Sequence, residues 1–437
     1  MQLHMQADGM THNRLLRGLI VTLLVTSCFT SLMYDTGSSD TVLPKFYVDD
    51  SNTAGPWDGS SIYPYRYIQD AIDNASAGDR IYVLEGTYSE NIVINSSKTS
   101  LNLFGEDKEN TIISKSSGDV LTISATGVDI SDLTIQGGTP NSNNAAVKIN
   151  ASNCVLVNNV ISSSDYGVYI YDCDNTKIYY NTISGNSLDG IYIRSSRNNN
   201  ITYSTIQSNS HNGIFLYNCS NNRLENNTVS SNSLNGIYLN LTCNNNTISN
   251  NYIASNSHNG IYLNDQCNDN IITNHNGNNK VYSNSRSGIR VENSSRNILG
   301  YNTVTSNQDY GLMILGSNNT IHNSTVSQNI KHGIFLFGDD NTDILSNTIQ
   351  NNTKDGIRIQ NSTSDVLYKN EISGNLQYGL YINYYGLSNL IYNNYFHENS
   401  ENAYDMSENN NIWSVSQRTG YNIVNGANTL VAGNYWD

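Results

Sequence analysis

The sequence predicts an all-β fold, a single-stranded parallel β-helix of about 13 coils with a short amino-terminal capping helix. Three observations carry this expectation. First, a glycine returns at Gly167, Gly190, Gly213, Gly236, Gly260, Gly288, Gly311, Gly333, Gly356 and Gly379, in steps of 22 to 24 residues with one step of 28. Second, from Gly190 onward an asparagine stands four residues before each of them, from Asn186 to Asn375. Third, one period holds three short aliphatic pieces separated by Ser/Asn turns, as in Gly190-Ile-Tyr-Ile193, then Ile201, then Thr205-Ile206. Three strands per turn is the arithmetic of a coil that cannot bury its own core and must stack on neighbours. At a strand spacing of about 4.8 Å, such a stack forms a rod about 60 Å long.

Composition agrees. Charged residues are 14% of the 437, against about 25% in an average globular protein, and the polar surface is built from Asn, Ser and Thr. The regular aliphatic pairs and 31 tyrosines argue against disorder. A formal charge of −15 repels nucleic acid and anionic membrane surfaces, and nucleic acid is excluded as a partner. The four prolines, Pro44, Pro56, Pro64 and Pro140, all precede the regular repeats, as strands that need every N–H require.

Along the chain, residues 1–34 read as a signal peptide: Arg14 and Arg17 precede the apolar stretch Gly18–Val25, too short to span a bilayer comfortably. An uncleaved anchor is the alternative, and either way the expected location is secreted or cell-surface, with membrane contact only through this segment. Residues 35–80 read as an amino-terminal cap, in which Ile68, Ala71, Ile72 and Ala75 fall at helical spacing before Gly78-Asp79. Residues 81–397 are the coils, with Ile81–Leu84 and Ile92–Ile94 as first strands and Val120–Ile123, Leu133–Ile135 and Ala146–Ile149 in the irregular early coils. Alternation points Ile191 and Ile193 inward and Tyr192 outward, with Asp189 also left outside. Two asparagine columns are expected to form ladders, one four before each glycine and one running through Asn181, Asn227, Asn251, Asn302, Asn347, Asn370 and Asn394. The extra residues Asn274–Asn279 form a loop on one face. Residues 398–437 are the last coil and a carboxy-terminal cap, with Trp413 and Trp436 as a plug.

Cys173, Cys219, Cys243 and Cys267 share one slot, and with Cys154 make an odd five. Neighbouring coils bring their Cα atoms within disulfide range, but three in a row cannot all pair. Free buried thiols are the expectation, and no metal-ligand spacing is present.

The Asn-x-Ile and Gly-Ile-x-Ile coils, the opening Tyr67-Ile-Gln with Gly78-Asp79, the Gly86-Thr-Tyr88 and Glu90-Asn-Ile92 pieces, and the closing Gly433-Asn-Tyr-Trp436 resemble the NosD-like group of right-handed parallel β-helix proteins of bacterial and archaeal surfaces, with a pectin-lyase-like fold. The resemblance spans about residues 46–437 and is specific for fold rather than activity. It implies a right-handed coil. It also implies a copper role through the group's name, for which soft ligands are scarce here: Met313 and Met406 are the only methionines beyond the leader, and His211 and His258 stand two coils apart.

Two outward patterns carry candidate chemistry. Tyr169, Tyr192, Phe215, Tyr238 and Tyr262 occupy one outward slot in successive coils, with Tyr171 and Tyr217 two residues further on. Such a strip suits the C–H faces of sugars, while the bland alternative is ring stacking that stabilises the rod. The second pattern is Asp309, Tyr310, Lys331, His332, Asp355 and Arg358, with Arg290 and Glu292 earlier. The fold implied by the resemblance hosts pectate lyases, polygalacturonases and uronate epimerases, whose chemistry needs carboxylates, or a carboxylate-bound cation with a basic residue, on one face. In that alternative, Asp309, Lys331, His332, Asp355 and Arg358 are catalytic and calcium is the cofactor to test; otherwise no cofactor and no metal site is expected. A solvated, salt-bridged surface is the bland reading of the same residues. The favoured function is an exported cell-surface rod with a structural or adhesive role and carbohydrate or cell-envelope components as partners; the alternative is a polysaccharide lyase, hydrolase or epimerase.

Overall fold

The computed structural model describes residues 43–137, 143–272, 278–408, 410–416, 418–424 and 428–437. The signal-peptide segment 1–34 and most of the Asn274–Asn279 loop lie outside the described residues.

Within each coil, apolar residues at alternate positions produce three short strands, and the coils stack into three parallel sheets of a right-handed β-helix. The first sheet, which follows the repeat glycines, has 14 strands from Ile92–Ile94 to Glu401–Asp405. The second has 15, from Phe46–Val48 to Leu390–Tyr392, and the third has 15, from Gly86–Tyr88 to Tyr435–Trp436. Like stacks on like: Ile191 pairs with Ile214, Ile214 with Ile237, Ile237 with Ile261 and Ile261 with Ile289. Ile191 and Ile193 are fully buried and Tyr192 lies outside, as alternation requires.

The solenoid begins earlier than the sequence suggests. Phe46–Val48 pairs in parallel with Arg80–Val83, so a rung lies inside the segment expected to be only a cap. Strands at Asn102–Gly105, Thr111–Lys115 and Asp129–Ser131 also went unforeseen, because these coils lack the Asn-x-x-x-Gly signature. The helix Ile68–Asn74 buries Ile68, Ala71 and Ile72 against the core. Glu90, from the next turn of chain, accepts the N–H groups of Ile68 and Gln69 at 2.9 and 3.1 Å, satisfying donors that a helix start leaves open.

Corners between sheets are made by single residues in the left-handed region, for example Asn158, Tyr180, Tyr203, Asn226 and Asn250 between the second and third sheets. Asparagine tolerates that conformation better than other side chains, so part of the asparagine content serves turning. Many of the others form ladders, of which the described residues show four long ones rather than two. Asn186, Asn209, Asn232, Asn256, Asn284, Asn307, Asn329, Asn352, Asn375 and Asn399 each pass an amide N–H to the next side-chain oxygen at 2.8–3.0 Å without a break. The second expected ladder is interrupted by Ser204 and Ser324 and ends on Asn434 of the closing motif. A third, unforeseen ladder runs from Asn199 through Asn222, Asn246, Asn270 and Asn297 to Asn319. The fourth runs in the opposite direction, from Asn259 through Asn235 and Asn212 onto Asp189. Asp189 is therefore buried as the terminal acceptor, not exposed as alternation alone suggested. Asn256→Ala is expected to cost about 3 kcal/mol, because it strands the backbone and side-chain N–H groups of Asn232. A denaturant midpoint compared with wild type measures this.

The repeat glycines serve close approach rather than a tight turn, since none of them has positive φ. A Cβ on Gly236 would stand 2.7 Å from the Gly260 carbonyl oxygen and from Ile253 Cγ2, and 2.8 Å from Asn256 Nδ2. In the last coil Asn402, not Ala403, stands beside Gly379, since Ala403 is in register with Leu380, and the first sheet ends there with no further strand above. Gly236→Ala is expected to destabilise by about 3 kcal/mol, read as a lowered denaturant midpoint.

Cys154, Cys173, Cys219, Cys243 and Cys267 are all unpaired and buried, as expected. Burial pushes the Cys154 thiol up to about 11 and those of Cys173 and Cys243 up to about 12, which leaves them unreactive as nucleophiles. At the carboxy terminus, Trp436 stacks on Phe396 at 4.7 Å and Trp413 lies 5.9 Å from Trp436, forming the expected plug.

Candidate functional site

Both candidate patterns lie on the outer side of the first sheet. Two columns run side by side there: the residue before each repeat glycine and the residue two after it.

Over the early regular coils the second column is aromatic. Tyr169, Tyr192, Phe215, Tyr238 and Tyr262 stack on one another with centroids 5.2, 5.0, 4.9 and 5.0 Å apart and interplanar angles of 19, 9, 8 and 12°. The coil spacing dictates this, because a rise close to the preferred stacking distance lets each ring lie flat on the next. The ring faces are therefore turned toward neighbouring rings and only edges face solvent, whereas the sequence pictured a strip of open faces. Burial in the stack pushes the Tyr192 phenol up to about 12. Tyr171 and Tyr217 flank Arg194, whose guanidinium lies 5.7 and 5.6 Å from their ring centres. Arg290 closes the far end of the stack over Tyr262 at 5.4 Å, and Glu292 accepts from both Arg290 and the Tyr262 hydroxyl. Arg290 and Glu292 thus belong to the aromatic stack rather than to the second cluster.

In the coils that follow, the two columns change character and, with Asp309 and Lys331 two residues before their glycines, bring the second set together. Asp309 pairs with Lys331 at 2.8 Å, and the Lys331 ammonium lies 5.0 Å from the Tyr310 ring. Tyr310 stacks on His332 at 5.7 Å and on Phe335 at 5.1 Å. His332 Nδ1 lies 3.1 Å from Asp355 Oδ2, and Arg358 Nη1 donates to the same oxygen at 3.0 Å while its guanidinium covers Tyr381 at 4.1 Å. All five predicted catalytic side chains and Tyr310 form one connected assembly over three consecutive coils. Tyr381 and Phe335 complete it and were overlooked as partners, although both occupy the outward slot two after a repeat glycine.

The assembly differs from a solvated surface in one respect. Asp355 is fully buried and His332 nearly so, because the column before the glycine is walled by its neighbours. Burial alone would raise the Asp355 carboxyl, but His332, the Tyr378 N–H and Arg358 together hold it below the usual carboxylate range. Burial lowers the His332 imidazole, against the pull of Asp355, so the ring is neutral at neutral pH. Nδ1 meets both the Asp355 backbone N–H and its carboxylate. With the proton on Nδ1 the ring donates to the Asp355 carboxylate and Nε2 keeps the lone pair a base needs; with the proton on Nε2, Nδ1 accepts the Asp355 backbone N–H. Hydrogen bonding to Asp309 raises the Lys331 ammonium, which stays charged. No three of the His, Cys, Asp and Glu side chains come together to hold a metal among the described residues.

The fold class is thus the right-handed parallel β-helix, with a titratable cluster on its glycine-led sheet. More particularly, residues 254–437 match the family described as periplasmic copper-binding protein (NosD), and residues 144–286 match the right-handed beta helix region. A comparison with curated proteins gives no match. Among solved structures, the A-module of the mannuronan C-5 epimerase AlgE6 of Azotobacter vinelandii is 17% identical, with a TM-score of 0.51 over 79% of this chain and 91% of that one. The Dettilon tailspike protein is 18% identical, with a TM-score of 0.55 over 76% of this chain and 66% of its own. At these identities the likeness concerns the fold.

Proposed function

We propose that this chain is an exported, envelope-associated β-helix that binds an acidic polysaccharide along the outer side of its first sheet and carries out proton transfer on it at His332. One observation carries this reading: His332, Asp355, Arg358, Lys331, Asp309 and Tyr310 form a single contact chain with a buried carboxylate at its base. In this reading His332 Nε2 is the base, Asp355 positions the ring, and Lys331 and Arg358 neutralise a uronate carboxylate, which acidifies the adjacent C–H bond. Mannuronan epimerisation, the activity named for the fold neighbour, is chemistry of this kind. Export fits the periplasmic description of the matched family and the apolar, Arg-led start of the sequence.

The adhesive reading keeps one specific support, the half-exposed Tyr171 beside Arg194, which offers an edge to a saccharide without any chemistry. A panel of uronate polymers, with and without calcium, tests both. Unsaturated product or deuterium incorporation from heavy water is expected with wild type and is expected to fall at least 100-fold in His332→Gln. Binding without turnover that is lost in Tyr192→Ala/Tyr238→Ala would favour adhesion, and neither binding nor turnover would remove both.

A further inference from the structure

A second titratable group lies at the corner between the first and second sheets, inside the coil rather than on its face. Asp339 occupies an inward slot that other coils fill with Cys219, Cys243, Ser294 or Ser362. Asp365, one coil on, occupies the slot of the third asparagine ladder. Both are fully buried. Thr342 stands between them: its hydroxyl donates to Asp339 Oδ2 at 2.6 Å and its backbone N–H to Asp365 Oδ1 at 2.9 Å. Ser362 donates to Asp365 Oδ2 at 2.7 Å, and the Asp365 N–H continues the ladder onto Asn389 at 2.8 Å. Asp365 thus reproduces the accepting half of a ladder asparagine but, when ionised, lacks the donating half. Asp339 Oδ1 is buried with no hydrogen-bond partner among the described residues.

The strongest charges acting on this corner are negative. Asp340 faces both carboxyls and Asp343 faces Asp365. The coil below offers Ser317, Asn318 and Asn319, and the coil above turns Tyr384 and Tyr385 to solvent. Two ionised carboxylates in so dry a place, without a cation, carry a large desolvation cost.

We propose that the Asp339–Thr342–Asp365 corner is a proton-operated latch that holds the coils of Gly333 and Gly356 together while it is protonated and loosens them as it ionises. The proton supplies the missing donor and removes one buried charge. These are also the coils that carry His332 and Asp355, so the latch sets the packing beneath the candidate site, although it does not depend on that site's function.

Burial raises the Asp339 carboxyl to about 8 and that of Asp365 to about 7. With folded values above those of the unfolded chain, the unfolded state holds fewer protons between about pH 4 and 8, so stability falls as pH rises through that window and levels off above it. Each proton involved raises the unfolding constant about tenfold per pH unit.

The test is amide exchange on the full chain at pH 5, 6, 7 and 8, corrected for the intrinsic pH dependence. Protection of the Thr342 and Thr363–Val366 amides is expected to drop with pH, while that of Thr205 and Thr228, in distant coils, stays level. D339S and D365N place residues native to these slots and are expected to fold; the double variant should lose the pH response. A double variant whose profile superposes on wild type overturns the proposal. So does a wild-type profile that flattens on adding calcium and steepens with chelator, since a cation would then be filling the corner.

Discussion

Ile191→Asp is expected to split the unfolding of the rod. Ile191 is fully buried in the hydrophobic core and lies in register between Val168 and Ile214. An aspartate there must either ionise without a partner or stay protonated in an apolar stack, and the cost is about 4 kcal/mol or more. Where that energy is lost follows from the architecture. Each coil touches only its neighbours, so stability is a sum of coil and interface contributions, and a defect in one coil weakens two interfaces without reaching distant ones. The melt followed by circular dichroism is therefore expected to lose cooperativity, with the coils on the amino-terminal side and those beyond Gly213 unfolding as separate blocks. Tyr192→Ala, one residue away on the outer side, removes ring contacts at 5.2 and 5.0 Å and is expected to cost about 1–3 kcal/mol for the two contacts together while leaving one transition. An unchanged melt in Ile191→Asp would refute the inward assignment.

The contrast between those neighbouring residues shows why the fold was readable and the site less so. Period two and period 23 act on every coil, so Ile191, Ile214 and Ile237 repeat one decision and errors average out. The early coils, where glycine and asparagine are irregular, are where strands such as Asn102–Gly105 were overlooked. Asparagine is ambiguous for a different reason: the same side chain serves left-handed corners and ladders. In a run such as Asn198-Asn-Asn200, sequence spacing alone does not say which member turns the chain (Asn198) and which joins a ladder (Asn199). At the candidate site, columns predicted that His332 and Asp355 are neighbours. They did not predict burial, which depends on how the slot before the glycine is walled by adjacent coils. Nor did the sequence reveal that stacked rings use up their own faces, a consequence of coil rise that appears only when ring planes are known.

Burial of His332 gives the second large expected effect, on the pH dependence of the imidazole. Because burial lowers its value below the ordinary 6.5, a reaction using His332 as base should have its acid limb at lower pH than a free imidazole would give. The same shift means that stability associated with the neutral ring is present above the unfolded value and is lost as pH falls through the folded one. Asp355 and Lys354 act on this ring in opposite directions. In Asp355→Asn the carboxylate that favours imidazolium is gone, so the acid limb should move lower. At the same time the ring loses its anionic anchor and Arg358 its partner, and turnover on a responsive uronate polymer should drop about 100-fold. Lys354→Ala removes a nearby positive charge from an exposed position, so the limb should move slightly upward with the rate at the plateau unchanged. Proton NMR titration of the His332 ring reads both shifts directly, whether or not a substrate has been found. Shifts of equal sign in the two variants would mean that Asp355 and Lys354 do not set the charge of this ring. A wild-type titration at 6.5 or above would mean that the pull of the Asp355 carboxylate outweighs burial, and would refute the lowered acid limb.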